Sequence, residues 1–187
     1  MKTTPTLVIL GSAGSGKGTQ ASLIEEQFGY HKVEAGALFR AKAQEDSPLG
    51  KKVKAINDSG GFAPDDLIAD LIDEEVLRLP KDQRLLLDNY PVSQGQAERL
   101  ETTLAQTGRS QKVIAIWVRV GQDEAKRRLM NRSQCLTCKT VFMNRNIKTC
   151  PHCGGEVKPR TYDTPEAIDN RINHFWASTV NLLEWYR

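Results

Sequence analysis

A glycine-rich loop near the amino terminus constrains this chain more than any other feature. The apolar run 7–10 leads directly into Gly11–Thr19, with the sequence GSAGSGKGT, and a helix is predicted to follow. Glycines let backbone N–H groups approach phosphate oxygens closely, and the helix directs its positive end at the same place. A complete Gly-x4-Gly-Lys pattern between a strand and a helix predicts a phosphate-binding loop for a nucleoside triphosphate. The alternative is an unusual structural turn.

The hydroxyl of this loop stands one position later than in the common pattern. Serine or threonine usually follows the lysine directly, whereas here Gly18 follows Lys17 and the hydroxyl belongs to Thr19. We expect Lys17 to reach the β- and γ-phosphates. Asp88 ends another predicted strand and is placed to hold Mg²⁺ through water, as the carboxylates of such sites do. A helix or turn cap is the alternative role for Asp88.

Hydrophobic patterning predicts the fold class. Short apolar strands at 7–10, 31–34, 85–88 and 113–120 alternate with helical segments, which favours a three-layer α/β/α fold around a parallel sheet. The run 113–120 is almost continuously apolar and is expected to be buried on both faces. The last helix is predicted from Thr164-Pro165 to Arg187. Helices are also predicted at about 17–28, 37–43, 48–58, 65–79, 94–106 and 123–131, and 135–159 is predicted to be an irregular insert.

Four cysteines form two closely spaced pairs within that insert. The pairs Cys135-x2-Cys138 and Cys150-x2-Cys153 are separated by eleven residues. Two such pairs bring four thiolates within tetrahedral reach of one Zn²⁺, and a site with four protein ligands is structural because no open position remains. Unbound or redox-active thiols are the alternative.

Composition limits the classes of protein to consider. The chain has 187 residues, which suits one α/β domain, and its formal charge of +3 is too small to indicate nucleic-acid binding. No apolar run approaches the roughly 20 residues of a membrane span, and the first residues lack a signal-peptide pattern. We therefore expect a cytoplasmic protein, without nucleic-acid or membrane partners, and a monomer.

Several motifs in a fixed order resemble those of the nucleoside monophosphate kinases, and adenylate kinases most of all. The resemblance covers nearly the whole chain, and the Gly-Lys-Gly-Thr-Gln form of the loop is typical of that family. The matching segments are Gly11–Gln20, Gly36-x3-Arg40, Pro64-Asp65, Leu87-Asp88-x2-Pro91, Gln96-Ala97, Arg128-x3-Arg132, the two cysteine pairs, Arg160-x2-Asp163 and Arg171.

The resemblance implies one P-loop kinase core, 1–187, with a helical acceptor-binding insert at 34–63 and a zinc-binding lid at 133–163. It implies transfer of the γ-phosphoryl group of Mg²⁺-ATP to a nucleoside monophosphate, most simply AMP. The implied catalytic residues are Lys17, Asp88, Arg128, Arg132, Arg160 and Arg171. The implied ATP-binding residues are Gly14, Ser15, Gly16, Lys17, Gly18, Thr19, Arg132, Val141 and Phe142. The implied AMP-binding residues are Ala35, Arg40, Gly61, Phe62, Ala63, Asn89, Tyr90, Pro91, Val92, Gln96, Arg160 and Arg171.

The acceptor side departs from the family pattern. The family usually has Gly-Phe-Pro-Arg after the strand aspartate, whereas residues 89–92 read NYPV, so Val92 replaces an arginine expected to grip the acceptor phosphate. Loss of one partner of a buried charge pair costs about 2–5 kcal/mol. Ala35 and Ala37 replace a usual threonine and aspartate, and Tyr162 replaces a lid aspartate. Arg40 and Gln96 remain.

The end of the chain departs as well. Adenylate kinases usually continue into another strand and a closing helix, whereas this chain stops at Trp185-Tyr186-Arg187. The sequence is therefore either a fragment or the sequence of a protein whose sheet lacks an edge strand.

Two other functions compete with phosphotransfer. The replaced acceptor residues would also suit an ATP-binding pseudokinase or a kinase with altered acceptor specificity. The cysteine pairs and the basic lid would suit a nucleic-acid-binding zinc ribbon, which the lack of an exposed aromatic run disfavours.

Overall fold

A computed structural model describes residues 4–58, 63–160 and 163–187 of the chain, with the side chains of 57 and 58 left out. The chain divides into two compact units: Met1–Gly11 with Gly16–Val118 and Ala177–Arg187, and Ser12–Ser15 with Arg119–Trp176. The predicted helix stop at 59–61 and the replaced lid residue Tyr162 lie outside the described residues. No helix in the described part of the chain is long and apolar enough to cross a membrane.

The first unit is built on four parallel strands in the order β2-β3-β1-β4. All five residues of β1 are buried, and its Val8 lies opposite Leu87 on one side and Ala115 on the other. The parallel sheet predicted from the apolar runs is thus confirmed. The strands are β1 Thr6–Leu10, β2 Tyr30–Glu34, β3 Arg84–Asp88 and β4 Val113–Trp117.

Helices connect these strands, and their ends follow local sequence rules. Helix α1 stops at Gly29, whose φ of 67° lies in the left-handed region that glycine adopts without strain. Helix α5 starts after Ser93, whose side chain accepts a hydrogen bond from the backbone of Gln96. The connecting helices are α1 Lys17–Phe28, α2 Ala35–Lys42, α3 Pro48–Asp58, α4 Asp65–Arg78 and α5 Gln94–Gln106.

The two faces of the sheet carry separate apolar clusters, because alternate strand residues point to opposite sides. Val8, Leu10 and Leu87 belong to a cluster that includes residues of α4 and α5. Leu7, Ile9 and Leu86 belong to a cluster that includes residues of α1. Helices therefore cover both faces, which gives the three layers that the sequence predicted.

Strand β4 corrects one sequence expectation. It ends at Trp117 rather than at residue 120, and it lies at an edge of the sheet, not between two strands. Its residues are only partly buried, and Ile114 is 36% exposed. The prediction of burial on both faces was wrong because an apolar run does not reveal whether its strand is central or at an edge.

The second unit holds a helix, a small sheet and most of another helix. Segment 135–159, predicted to be irregular, instead belongs to a three-stranded antiparallel sheet in the order β6-β5-β7 that begins at Ser133. Helices α6 and α7 pack through Ala125, Leu129, Ile168 and Ile172. The elements are α6 Gln122–Met130, β5 Ser133–Cys135, β6 Val141–Phe142, β7 Val157–Pro159 and α7 Pro165–Ala177.

The carboxyl-terminal segment is not the single helix that the sequence predicted. The backbone of Ser178 is not helical, with φ −125° and ψ −60°, so α7 ends before it. A 3₁₀ turn, Thr179–Asn181, and α8, Leu182–Trp185, follow. Leu182 is buried in the core of the first unit, and Tyr186 packs against that core.

Candidate functional site

Two glycines of the phosphate-binding loop adopt positive φ angles, which other residues rarely adopt. The N–H of Ser15 donates to the carbonyl of Ser12 at 3.1 Å, and Gly16 precedes α1 with φ 95°. Gly14 has φ 82°, and a Cβ atom there would lie 2.6 Å from the carbonyl oxygen of Ala125. Glycine is therefore required at position 14 for both its conformation and its close packing.

Asp88, the last residue of β3, lies beside the start of α1. The residue is 3% exposed, and a Cβ atom on Gly18 would lie 3.4 Å from its Oδ2. Burial raises the pKa of Asp88, and the positive charge of Lys17 partly opposes that rise. Oδ1 is buried and has no hydrogen-bond partner within the described residues. A buried, unpaired carboxylate oxygen next to a lysine suits the hydration shell of Mg²⁺.

Two arginines of the second unit bind one carboxylate, and the charge of a third, Arg160, acts on one of them. Both oxygens of Asp163 accept hydrogen bonds at 2.8 Å from Nε and Nη2 of Arg132, and Nη2 of Arg171 donates at 2.6 Å. The Asp163 side chain is fully buried. Burial lowers the pKa of Arg132, and the charge of Arg160 lowers it further. Arg160 donates to Oε1 of Gln134 at 2.9 Å and lies close enough for its charge to act on Arg132. The three side chains form a cluster of positive charge (the arginine cluster: Arg132, Arg160 and Arg171), which suits a polyanionic ligand.

Arg128 lies next to the glycine loop. Its Nη1 donates to the carbonyl oxygen of Ser15 at 3.5 Å, and its Nε donates to Glu124 at 2.7 Å. Arg127 pairs with the same glutamate and is 68% exposed, in agreement with the expectation that it faces solvent. The hydroxyl of Ser15 is buried without a partner in the part of the chain that the structure covers. The loop, Arg128 and the arginine cluster thus supply donors for phosphate oxygens.

The four cysteines meet at one point of the small sheet. Their sulfur atoms all lie within 4.8 Å of one another, with 3.6 Å between Cys135 and Cys153 and between Cys138 and Cys150. Hydrogen bonds from Thr140 lower the pKa of Cys138 to about 6, whereas the neighbouring cysteines raise the pKa of Cys153 to about 11. The donor set therefore fits one tetrahedral metal ion.

Strand β6 carries Val141 and Phe142, which the resemblance assigns to the ATP base. Both are partly buried, and Phe142 packs against the apolar cluster around Cys135 while its ring stacks 6.1 Å from His152. Packing against this cluster explains why part of the Phe142 side chain is buried. Contact of either residue with ATP stays a prediction.

Residues predicted for the acceptor site lie mainly near the ends of β2 and β3. Ala35 and Tyr90 are buried in the core, and Asn89 has a positive φ of 59°. The N–H of Val92 donates to Oε1 of Gln96 at 2.9 Å. Pro91 is buried, and Ala63 packs partly against the cluster shared by α2 and α3. Gly61 and Phe62 lie outside the described residues.

A family comparison decides between the hypotheses that the sequence left open. The family model described as adenylate kinase matches residues 9–187. The chain belongs to the adenylate kinase family. It is 35% identical to the adenylate kinase of Geobacillus sp. strain WCH70 over 185 residues, 96% of this chain and 85% of that protein. It is 32% identical to the adenylate kinase of Elusimicrobium minutum strain Pei191, over 97% of this chain and 86% of that protein.

Membership in the adenylate kinase family makes the chain a nucleoside monophosphate kinase, an enzyme of nucleotide phosphotransfer. A third relative, the adenylate kinase of Carboxydothermus hydrogenoformans, is 32% identical over 96% of this chain and 86% of its own length. The comparisons give no support to a pseudokinase or a nucleic-acid-binding ribbon.

Three carboxylates form ion pairs with the predicted phosphate-binding arginines, and the sequence assigned no role to any of them. Asp163 holds Arg132 and Arg171, Glu124 holds Arg128, and Glu34 holds Arg40. Glu124 and Arg128 are four residues apart on a helix, a spacing that signals an ion pair. Glu34 and Asp163 carry no such signal, because folding alone brings them to their partners.

Proposed function

We propose that this chain transfers the γ-phosphoryl group of ATP to AMP and forms two molecules of ADP. The arginine cluster anchored on the buried Asp163 carries the proposal, because phosphoryl transfer requires cations around the transferring group. The family and the names of its relatives support the same reaction.

The donor residues act by binding and orienting phosphates, since this reaction depends on positioning and charge stabilisation more than on acid–base groups. In the proposal, backbone amides of 14–19 and Lys17 bind the β- and γ-phosphates. Arg128, Arg132, Arg160 and Arg171 stabilise the negative charge of the transferring group. Asp88 would hold Mg²⁺, and the ion would supply positive charge that neutralises the phosphates.

The proposed acceptor residues include three arginines, Arg40, Arg160 and Arg171. Arg40 binds the phosphate of AMP in this proposal, and segment 34–63 forms the acceptor-binding insert. The other proposed AMP contacts are Ala35, Gly61, Phe62, Ala63, Asn89, Tyr90, Pro91, Val92, Gln96, Arg160 and Arg171. Residues 133–163 form the lid, in which the four cysteines hold a structural Zn²⁺ that stabilises a segment with few apolar residues of its own.

A panel of acceptors tests the reaction. We expect ADP formation from Mg²⁺-ATP with AMP, and slower or no transfer to CMP, UMP and GMP. Lys17→Met should lose at least about 100-fold in kcat, as removal of a charge-stabilising donor does. Binding of ATP without transfer to any of the four monophosphates, in a folded protein, would show that the proposal is wrong.

Val92→Arg tests the acceptor side alone. The new guanidinium restores a second cation for the AMP phosphate, so kcat/KM for AMP should rise at least about tenfold, the ratio that ~1.4 kcal/mol gives. The KM for ATP should change little. Val118→Arg, at another partly buried valine of the same unit, controls for the general effect of an added charge.

A further inference from the structure

Arg40 already has an anionic partner in the structure. Its Nη2 donates to Oε1 of Glu34 at 2.8 Å, and the two side chains are 44% and 35% exposed. Gly36 lies under the pair: a Cβ atom there would be 3.0 Å from Nη1 of Arg40 and 3.7 Å from Oε1 of Glu34. The guanidinium therefore rests on a glycine and directs one of its donors at a carboxylate of the same chain.

Glu34 also adds negative charge at the edge of the sheet where Asp88 lies. It is the last residue of β2 and stands directly opposite Asp88 in the parallel register. Its charge contributes to the raised pKa of Asp88, after the larger effect of burial. A phosphate dianion that approaches this edge meets two carboxylates, and Lys17, Lys32 and Arg40 are cations near them.

Val92 supplies no second cation for the acceptor. It occupies the position where related kinases place an arginine, and its backbone is held at both ends. Its N–H donates to Gln96, and its carbonyl oxygen accepts from the hydroxyl of Thr179 at 3.1 Å. Among the proposed AMP contacts, Arg40 is therefore the arginine that the first unit contributes.

We infer that Glu34 sets the affinity of this enzyme for its phosphate acceptor by competing with the acceptor phosphate for Arg40. The inference rests on the proposed function, in which Arg40 binds the AMP phosphate. The acceptor phosphate has to replace the Glu34 carboxylate on Nη2 of Arg40. The free energy of breaking this ion pair therefore reduces the binding free energy of the phosphate. Glu34 is a positioning residue here, because it acts through Arg40 rather than on the reacting atoms.

The partial exposure of Glu34 and Arg40 determines how strongly their ion pair should affect the KM for AMP. Ion pairs between partly exposed side chains contribute modestly, at most about a fivefold change in an equilibrium constant. Removal of the competing charge should thus lower the KM for AMP by about two- to fivefold. Only the acceptor is affected, so kcat and the KM for ATP should stay within about 1.5-fold of the parent values.

Glu34→Gln is the decisive variant, since it removes the charge and keeps the shape. Initial rates at saturating Mg²⁺-ATP and varied AMP should give the two- to fivefold lower KM, whereas Glu34→Asp, which keeps the charge, should stay near the parent. Glu45→Gln is the matched control. It removes one charge from an exposed pair with Lys42, 3.0 Å apart, at the other end of α2, and should leave the KM for AMP unchanged.

Two results separate failure of the inference from failure of the proposed function. An unchanged or higher KM for AMP in Glu34→Gln, in a protein that transfers phosphate to AMP, overturns the inference and leaves the function intact. If the parent transfers phosphate to none of the monophosphates, the proposed function fails. Titration calorimetry with AMP then decides the inference alone: tighter binding by Glu34→Gln supports it, and equal or weaker binding overturns it.

Discussion

Asp163 and Arg132 form a two-point ion pair in which both carboxylate oxygens accept hydrogen bonds at 2.8 Å from the guanidinium group. The Asp163 side chain is fully buried, and that of Arg132 is 13% exposed. A pair with this geometry fixes the plane of the guanidinium, so the remaining donors of Arg132 point in a defined direction. Asp163 therefore orients Arg132, and its bond to Nη2 of Arg171 orients that side chain as well.

The first prediction is that Asp163→Asn reduces kcat by about 10- to 100-fold. Two arginines lose their shared partner, and removal of one member of a buried ion pair also destabilises the fold, by ~3–5 kcal/mol. Steady-state rates and thermal unfolding measure the two effects. Asp169→Asn is the control, because its pair with Lys126 is of similar length, 2.8 Å, but about half exposed. A folded Asp163→Asn enzyme with parent kcat would contradict the orienting role.

The second prediction concerns metal removal. Chelation, or Cys138→Ser, should release one Zn²⁺ per chain and lower Tm by at least about 5 °C, because the cysteine sheet has only a small apolar cluster of its own. Metal analysis and calorimetry provide the measurement. The chelator should not lower the Tm of Cys138→Ser any further. An unchanged Tm after complete chelation would show that the metal does not stabilise the fold.

Local sequence signals predicted the core of this fold well. Short apolar strands and the helical segments between them predicted the parallel sheet and its connecting helices, because each signal acts over a few residues. The loop motif also located Gly14 and Gly16, since few sequences tolerate two positive φ angles so close together.

Features that depend on distant residues were not predictable in the same way. The small sheet pairs β5 with β7, more than 20 residues later, and such short strands show no periodicity. Arg132 and Asp163 are 31 residues apart, and the sequence has 23 acidic residues from which a partner might come. An apolar run such as β4 has the same sequence pattern whether the strand lies in the middle of a sheet or at its edge.

The third prediction separates two glycines. Gly14→Ala should destabilise the protein by ~1–3 kcal/mol and abolish ATP binding, because its φ is 82° and the new Cβ would lie 2.6 Å from a backbone oxygen. Gly95→Ala is the control. It lies in the first turn of α5 with no atom within 4 Å, so it should stabilise slightly and keep activity. Equal stability and ATP affinity of Gly14→Ala and the parent would contradict the close packing.

The fourth prediction uses the raised pKa of Asp88, which burial causes. A carboxyl whose pKa is higher in the folded than in the unfolded chain favours folding when protonated. Its stabilising contribution is present below the unfolded value, near 3.8, and is lost as pH rises through the folded value. At pH 7 the ionised side chain therefore destabilises the fold, and Asp88→Asn should raise Tm.

The same substitution removes the carboxylate that the proposed mechanism needs for Mg²⁺, so kcat should fall at least about 100-fold while Tm rises. In the parent enzyme, activity should fall with acidification at a pH above that of an ordinary aspartate, since protonation of Asp88 begins earlier. Asp66→Asn, an exposed aspartate of α4, should change neither quantity. Thermal unfolding as a function of pH is the sharpest check: the stability gain of Asp88→Asn has to shrink as the pH falls towards 3.8, and a gain independent of pH over that range would rule out an electrostatic origin.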